Sequence, residues 1–291
     1  MTTAKSHLYY SESGTVSPVG MLTFFGLGLV AAAALGFVYA LAVFYVPLVY
    51  VSVLLTAGFG FALAYVIGKI AYVAKVRKRS FILLGSLVIG IAGLYFAWVF
   101  WLWALSEFSL LSFSPAYVFD MMQLIGITGV WGIGDDSTVS GTMLYIVWAI
   151  EAAIIIGAAV ILGRAFVTRQ PFCEDCSKWT KETLISSRIE PIGDVRNFIE
   201  RLEEKDFSVL TSLERVPENY ARRTKVEISD CEGCDGSAYL TVENIQVSVD
   251  DEGKATENVT PFVENLRISH GDFTMLKNWR KDLNQTLKTV A

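Results

Sequence analysis

Histidine is almost missing from this 291-residue chain, which has only His7 and His270. A His-based catalytic triad therefore has too few participants, as does a histidine-rich metal site. The sequence Ser269-His270-Gly271-Asp272 reads as helix capping rather than catalysis. Cysteine is nearly as scarce, with four residues confined to Cys173-x-x-Cys176 and Cys231-x-x-Cys234. Basic residues are absent from the whole of 106–140. The glycines of 129–134 do not follow a strand and open a helix, so they do not form a nucleotide loop. With soluble-enzyme motifs missing, the expectation is a non-enzymatic protein. Charge in general is sparse over 19–168: of 24 Lys and Arg, 17 lie after position 168, against 23 of 29 Asp and Glu, a formal −6 for that segment. Such a balance argues against a nucleic-acid partner held by bulk charge.

What fills 19–168 is apolar sequence. A bilayer crossing takes about 20 such residues, and the run from Val19 to Ala74 is long enough for two. Pro47 marks the turn between them, because proline removes a backbone donor and disfavours helix just before it. Four spans follow, at about 21–44, 49–73, 80–105 and 142–163. Lys75-Val76-Arg77-Lys78-Arg79 separates the second and third spans, and Arg164 and Arg169 follow the fourth. The connection 106–140 instead carries Glu107, Asp120, Asp135 and Asp136. Positive charge is retained on the cytoplasmic side, so both termini are expected there, with the lipid bilayer as the first partner. Residues 1–18 read as a mobile cytoplasmic tail and not a cleaved signal peptide. In the outward connection Ser114-Pro115 reads as the start of a short interfacial helix through Leu124, beside Trp131, with a re-entrant helix as the alternative.

Small residues recur every four positions at Gly28, Ala32, Gly36 and Ala40, and again at Thr56, Gly60, Ala64 and Gly68. Such stripes let helix backbones approach closely in lipid. The expected use is packing of the first span on the second, with homodimerisation as the alternative. Glu151 is the acid deep inside the fourth span, where a charge costs about 2.5–3.5 kcal/mol on insertion scales. A hydrogen bond to a hydroxyl such as Tyr95 is the favoured reading of this intramembrane polar site. A proton or substrate role is the alternative.

The thiols follow from topology. Structural disulfides rarely persist in a reducing compartment, which leaves metal binding or dithiol chemistry. Two C-x2-C units with 54 residues between them fit a structural zinc site of Cys173, Cys176, Cys231 and Cys234. Glu174, Asp175, Glu232 and Asp235 surround the thiols and disfavour the thiolate a redox pair needs, whereas zinc brings its own charge. A redox pair, another metal or no metal stay open.

Beyond the first pair, Val195, Phe198, Ile199 and Leu202 mark an amphipathic helix. Strand-like segments cover 224–229, 238–249 and 260–269, and a last helix begins near Asp272 with Ser269 or Asp272 as cap. The fold class is thus membrane α-helical: a four-helix transmembrane bundle (19–168) and a C-terminal cytoplasmic α+β zinc-ribbon-like domain (169–291).

The four spans, the outward segment ending in Gly129-Val130-Trp131-Gly132-Ile133-Gly134, the span with Trp148 and Glu151, and then Pro171-Phe172-Cys173-Glu174-Asp175-Cys176-Ser177-Lys178-Trp179 resemble a group of uncharacterised bacterial inner-membrane proteins. The resemblance implies a location in the bacterial cytoplasmic membrane and a shared architecture, and carries no activity. Two functions compete, with membrane-associated redox chemistry through the cysteines as a third. In one, the zinc domain scaffolds or recognises another protein. In the other, the chain is a small transporter or permease with a site at Glu151, regulated by the zinc domain. A solid bundle would favour the first, and a sizeable polar cavity around Glu151 the second.

Overall fold

The computed structural model describes residues 7–46, 49–129, 139–217, 220–234, 236–251 and 253–290. The turn at Pro47, the loop with Trp131, Asp135 and Asp136, and Asp235 beside the second cysteine pair lie outside the described residues. The chain forms two compact units, Ser13–Thr168 and a second made of the segment through Glu12 with everything from Arg169 onward.

The first unit is helical: α1 (Pro18–Tyr45), α2 (Val49–Val73), α3 (Arg79–Leu105), α4 (Pro115–Thr128) and α5 (Thr142–Ala165). All but α4 are long and apolar enough to cross a membrane. Their outer surfaces are apolar too, with Leu22, Leu54, Leu84 and Ile161 all strongly exposed, as lipid-facing side chains must be. Ser17 caps α1, its hydroxyl accepting the Gly20 N–H at 3.0 Å, and Pro18 takes the first helical position. The same device starts α4 at Ser114-Pro115. This helix buries Val118 and Ile125 in a cluster with Val99, Leu102 and Leu144 and exposes Phe119 and Ile127. A side chain at Gly126 would collide with the Tyr145 ring, so glycine lets α4 sit directly on α5.

The small-residue stripes do not pack on one another as expected. Gly28 faces Ile89, and a Cβ at Gly36 would lie 3.1 Å from the Ala97 nitrogen and 3.2 Å from the Gly93 oxygen, so the α1 stripe seats α3. The α2 stripe seats α5: Gly60 faces Ala158 and the Ile154 carbonyl, and Gly68 faces Phe166. Helix periodicity defines a face for close approach, but any helix with a complementary groove can occupy it.

The second unit is built on an antiparallel sheet of order β3-β4-β5-β6, with β3 at Lys181–Ile189, β4 at Arg222–Asp230, β5 at Ala238–Val249 and β6 at Ala255–Ile268. A small hairpin, β1 (Phe172–Cys173) with β2 (Lys178–Trp179), precedes it. Strand β3 and this hairpin were not legible as strands. Helices α6 (Val195–Glu203), α7 (Ser208–Thr211) and α8 (His270–Val290) supply Phe198, Leu202, Leu210, Phe273, Leu276 and Trp279 to one core with Val226, Leu240, Val242 and Leu266. The amphipathic face of α6 is therefore spent on its own domain. Ser269 and Asp272 cap α8 reciprocally, each side chain within 3.1 Å of the other's backbone N–H.

Part of the expected mobile tail is pinned. The Tyr10 N–H donates to the Asn265 carbonyl at 2.9 Å and the Arg267 N–H to the Leu8 carbonyl at 2.7 Å, so residues 8–10 continue the sheet beyond β6. Tyr9 donates to Glu203 at 2.9 Å, and burial together with that carboxylate pushes its hydroxyl up to about 12. The segment satisfies a sheet edge that would otherwise expose unpaired backbone groups.

The close approach of α1 to α3 is testable by thermal unfolding in detergent. Gly36→Leu should lower the midpoint, overpacking costing about 1–3 kcal/mol. Gly58→Ala, whose Cβ would meet nothing within 4 Å, should leave it unchanged. Equal losses at both positions would refute the assigned contact.

Candidate functional site

The two cysteine pairs converge. The four Sγ atoms lie within 4.8 Å of one another, with Cys173 and Cys234 at 3.5 Å, and all four are unbridged. Cys173 ends β1 and Cys176 sits in the β1–β2 turn, where Ser177 takes the left-handed conformation at φ 49°. Cys231 and Cys234 occupy the β4–β5 connection, closed by the Cys231 N–H to the Ser237 carbonyl at 3.0 Å. Gly233 gives the sulfurs room, since a Cβ there would lie 3.0 Å from the Cys176 sulfur. The hairpin is braced from behind by the Phe172 and Trp179 rings at 4.9 Å and by Thr180, which bonds the Pro171 carbonyl through both its N–H and its hydroxyl at 3.0 Å.

The donor set fits a tetrahedral ion. Zn–S bonds of about 2.3 Å put tetrahedral sulfurs about 3.8 Å apart, a separation compatible with this cluster. The protons already show the strain of the arrangement. For Cys173, burial acts upward, but the Cys176 N–H, the Ser237 hydroxyl and the neighbouring thiols outweigh it and bring the thiol down to about 7. Cys176 is pushed up to about 12 by its contacts with Cys234 and Cys231. One thiolate is favoured and further ones are resisted by like charge, which a divalent cation would reverse. Of the basic residues flanking the cysteine pairs, Lys181 pairs with Glu232 at 2.6 Å, Arg223 with Glu257, and Lys225 with Glu227 and Glu243 at 2.9 Å.

The expected Glu151–Tyr95 pair does not form. The Tyr95 hydroxyl donates to the Phe113 carbonyl at 2.5 Å. Glu151 instead lines a cavity of about 440 Å³ with Tyr39 and Thr56, whose hydroxyls are 2.9 Å apart. Thr56 in turn donates to the Ser52 carbonyl at 2.8 Å. A signal for this cavity was present in the sequence. Glycine occurs at 20, 26, 28 and 36 in α1, at 58, 60 and 68 in α2, and at 85, 90 and 93 in α3, with none in 37–57 or 94–125. The glycines of α1, α2 and α3 thus gather in one half of the bundle, while bulky Tyr39, Phe44, Trp98, Trp101 and Trp148 line the cavity in the other.

Comparison with protein-family models, curated proteins and solved structures finds no match, so the architecture rests on the chain's own geometry.

The metal assignment predicts about one zinc per purified chain by elemental analysis. Cys173→Ser and Cys231→Ser should each lower metal content and thermal stability together, and acidification should release the metal, since only deprotonated thiols bind it. A stable, metal-free protein with four freely titrating thiols would exclude the assignment.

Proposed function

We propose that this chain is a non-enzymatic, multi-pass protein of the bacterial cytoplasmic membrane, with both termini in the cytoplasm and a zinc-ribbon-like domain that scaffolds or recognises another protein. The observation that carries this reading is the convergence of four cysteines from segments 54 residues apart into one closed donor set. Four thiolates fill a tetrahedral zinc ion and leave no position for a reacting water, so the metal's role is to hold structure. An even number of spans returns the chain to its starting side, and the basic loop 75–79 lies on that side. A docking edge is at hand: β3 ends the sheet, and among the described residues no strand pairs with its outer side from Lys181 to Ser186. Such an edge accepts a partner's extended segment by strand addition.

One observation favours a second reading. The bundle is not solid, and its cavity includes the buried-span acid Glu151, which supports a small permease regulated by the zinc domain.

A reporter fused after Ala291 should read cytoplasmic, and a tag inserted at Ser109 external; the same side for both would overturn the topology. A photo-crosslinking residue at the half-exposed Leu184 should give one defined adduct in native membranes, lost when a charged residue is placed at the neighbouring Thr183. Absence of any adduct along β3 would remove strand addition as the docking mode. Glu151→Gln separates the two readings: a folded, inserted variant that still complements a deletion favours scaffolding, and one that does not favours the permease.

A further inference from the structure

The cavity around Glu151 has a chemical character of its own. It is bounded by all four spanning helices, through Tyr39 of α1, Thr56 of α2, Trp98 and Trp101 of α3, and Trp148 and Glu151 of α5. Its volume, about 440 Å³, falls within the range of about 300–1,000 Å³ that small-molecule sites occupy. No Lys, Arg or His is among the lining residues, so the carboxylate has no basic side chain to pair with there. Lys69, the basic residue of α2, lies elsewhere along the helix, its ammonium 5.3 Å from the Tyr65 ring. An acid in low dielectric is stabilised by a cation, and the described lining residues supply none at this place.

The remaining wall is aromatic. Trp98 lies 4.8 Å from Trp148 at 90° and 5.5 Å from Trp101 at 86°. Mutually perpendicular indoles present π-faces in more than one direction, and tryptophan is the side chain whose face attracts a cation most strongly. An inorganic ion is poorly served by these walls. Calcium takes about 6–8 oxygen ligands, and near Glu151 the Thr56 hydroxyl is already bonded to Tyr39 and Ser52. Leu94, Val147, Ile154 and Ile155 supply only apolar surface. The ligand that matches one carboxylate, an indole cluster and aliphatic walls has a delocalised or quaternary positive centre inside an apolar body. Val53 and Ile150 at the lining are about half exposed, at 52% and 53%, on a lipid-facing surface. Entry from the bilayer suits such an amphipathic molecule.

We propose that the bundle cavity is a binding site for a hydrophobic organic cation, with Glu151 as its counter-charge and Trp98, Trp101 and Trp148 as its aromatic wall. The inference shares the cavity with the permease reading but requires binding only.

The test uses full-length, zinc-loaded protein in lipid nanodiscs and two probes alike in size and hydrophobicity but opposite in charge, tetraphenylphosphonium and tetraphenylborate. The cation should bind saturably, one per chain, at least about tenfold more tightly than the anion. Glu151→Gln should weaken cation binding about tenfold or more with zinc content and thermal midpoint retained. Val147→Trp, which fills the cavity, should abolish binding of the cation even if the first variant folds poorly. Equal binding of the two ions, no saturable binding above empty nanodiscs, or undiminished cation binding in a folded Glu151→Gln protein would each overturn the proposal. Reconstitution keeps the two ideas apart. Cation binding without flux across proteoliposomes supports this site and ends the permease reading, whereas proton flux without cation binding overturns this site and leaves the permease standing.

Discussion

Four sulfurs within 4.8 Å of one another create a local conflict of charge that the rest of the C-terminal unit is organised around. As thiols they compete for protons, and as thiolates they repel, a conflict that a shared cation would relieve. The cluster brings the β1–β2 turn against the β4–β5 connection across 54 intervening residues. It also explains the small residues at the site: Gly233 leaves room for a sulfur, and a left-handed Ser177 completes the turn that aims Cys176. A domain of this size buries a modest core, and an ion shared by the two distant turns would reduce the chain entropy that the core must offset.

The helical unit obeys a different constraint. In lipid there is no hydrophobic drive to bring helices together, so closeness comes from fit. Glycines at 28 and 36 seat α3 on α1, and those at 60 and 68 seat α5 on α2. Where the glycines stop, indole and phenyl rings hold the helices apart and a cavity results. Close packing and an open cavity are thus two outcomes of one gradient in residue size along the bundle. The acid sits where the gap is, which relieves it of burial in a tightly packed interface.

Much of the architecture was legible because it rests on local or compositional rules. Span positions came within three residues of the observed ends, since a bilayer crossing needs length and apolarity alone. The Ser114-Pro115 start follows from its cap, and β5 at Ala238–Val249 from alternation bounded by turns. The cysteine cluster was readable because two pairs of one scarce, soft ligand have few other uses in a reducing compartment. Strand β3 was missed because Lys181–Ile189 lacks clean alternation; its pairing with β4 is irregular after Leu184 and Ser186. The pinning of residues 8–10 was missed because strand addition at an edge is written in backbone groups that every residue carries.

By itself the sequence determined how many helices are long and apolar enough to cross a membrane, which faces of them admit close approach, and which four side chains could share a metal ion. These are properties of one segment at a time, or of a residue type too rare to have alternatives. Tertiary structure alone decided that the glycine stripe of α1 seats α3, that Tyr95 turns to the Phe113 carbonyl, and that Glu151 shares its cavity with Tyr39, Thr56 and three tryptophans. The reason is geometric. A helix's period defines a face, but the neighbour that covers it, and the space left where bulky faces meet, depend on all the helices packing at once.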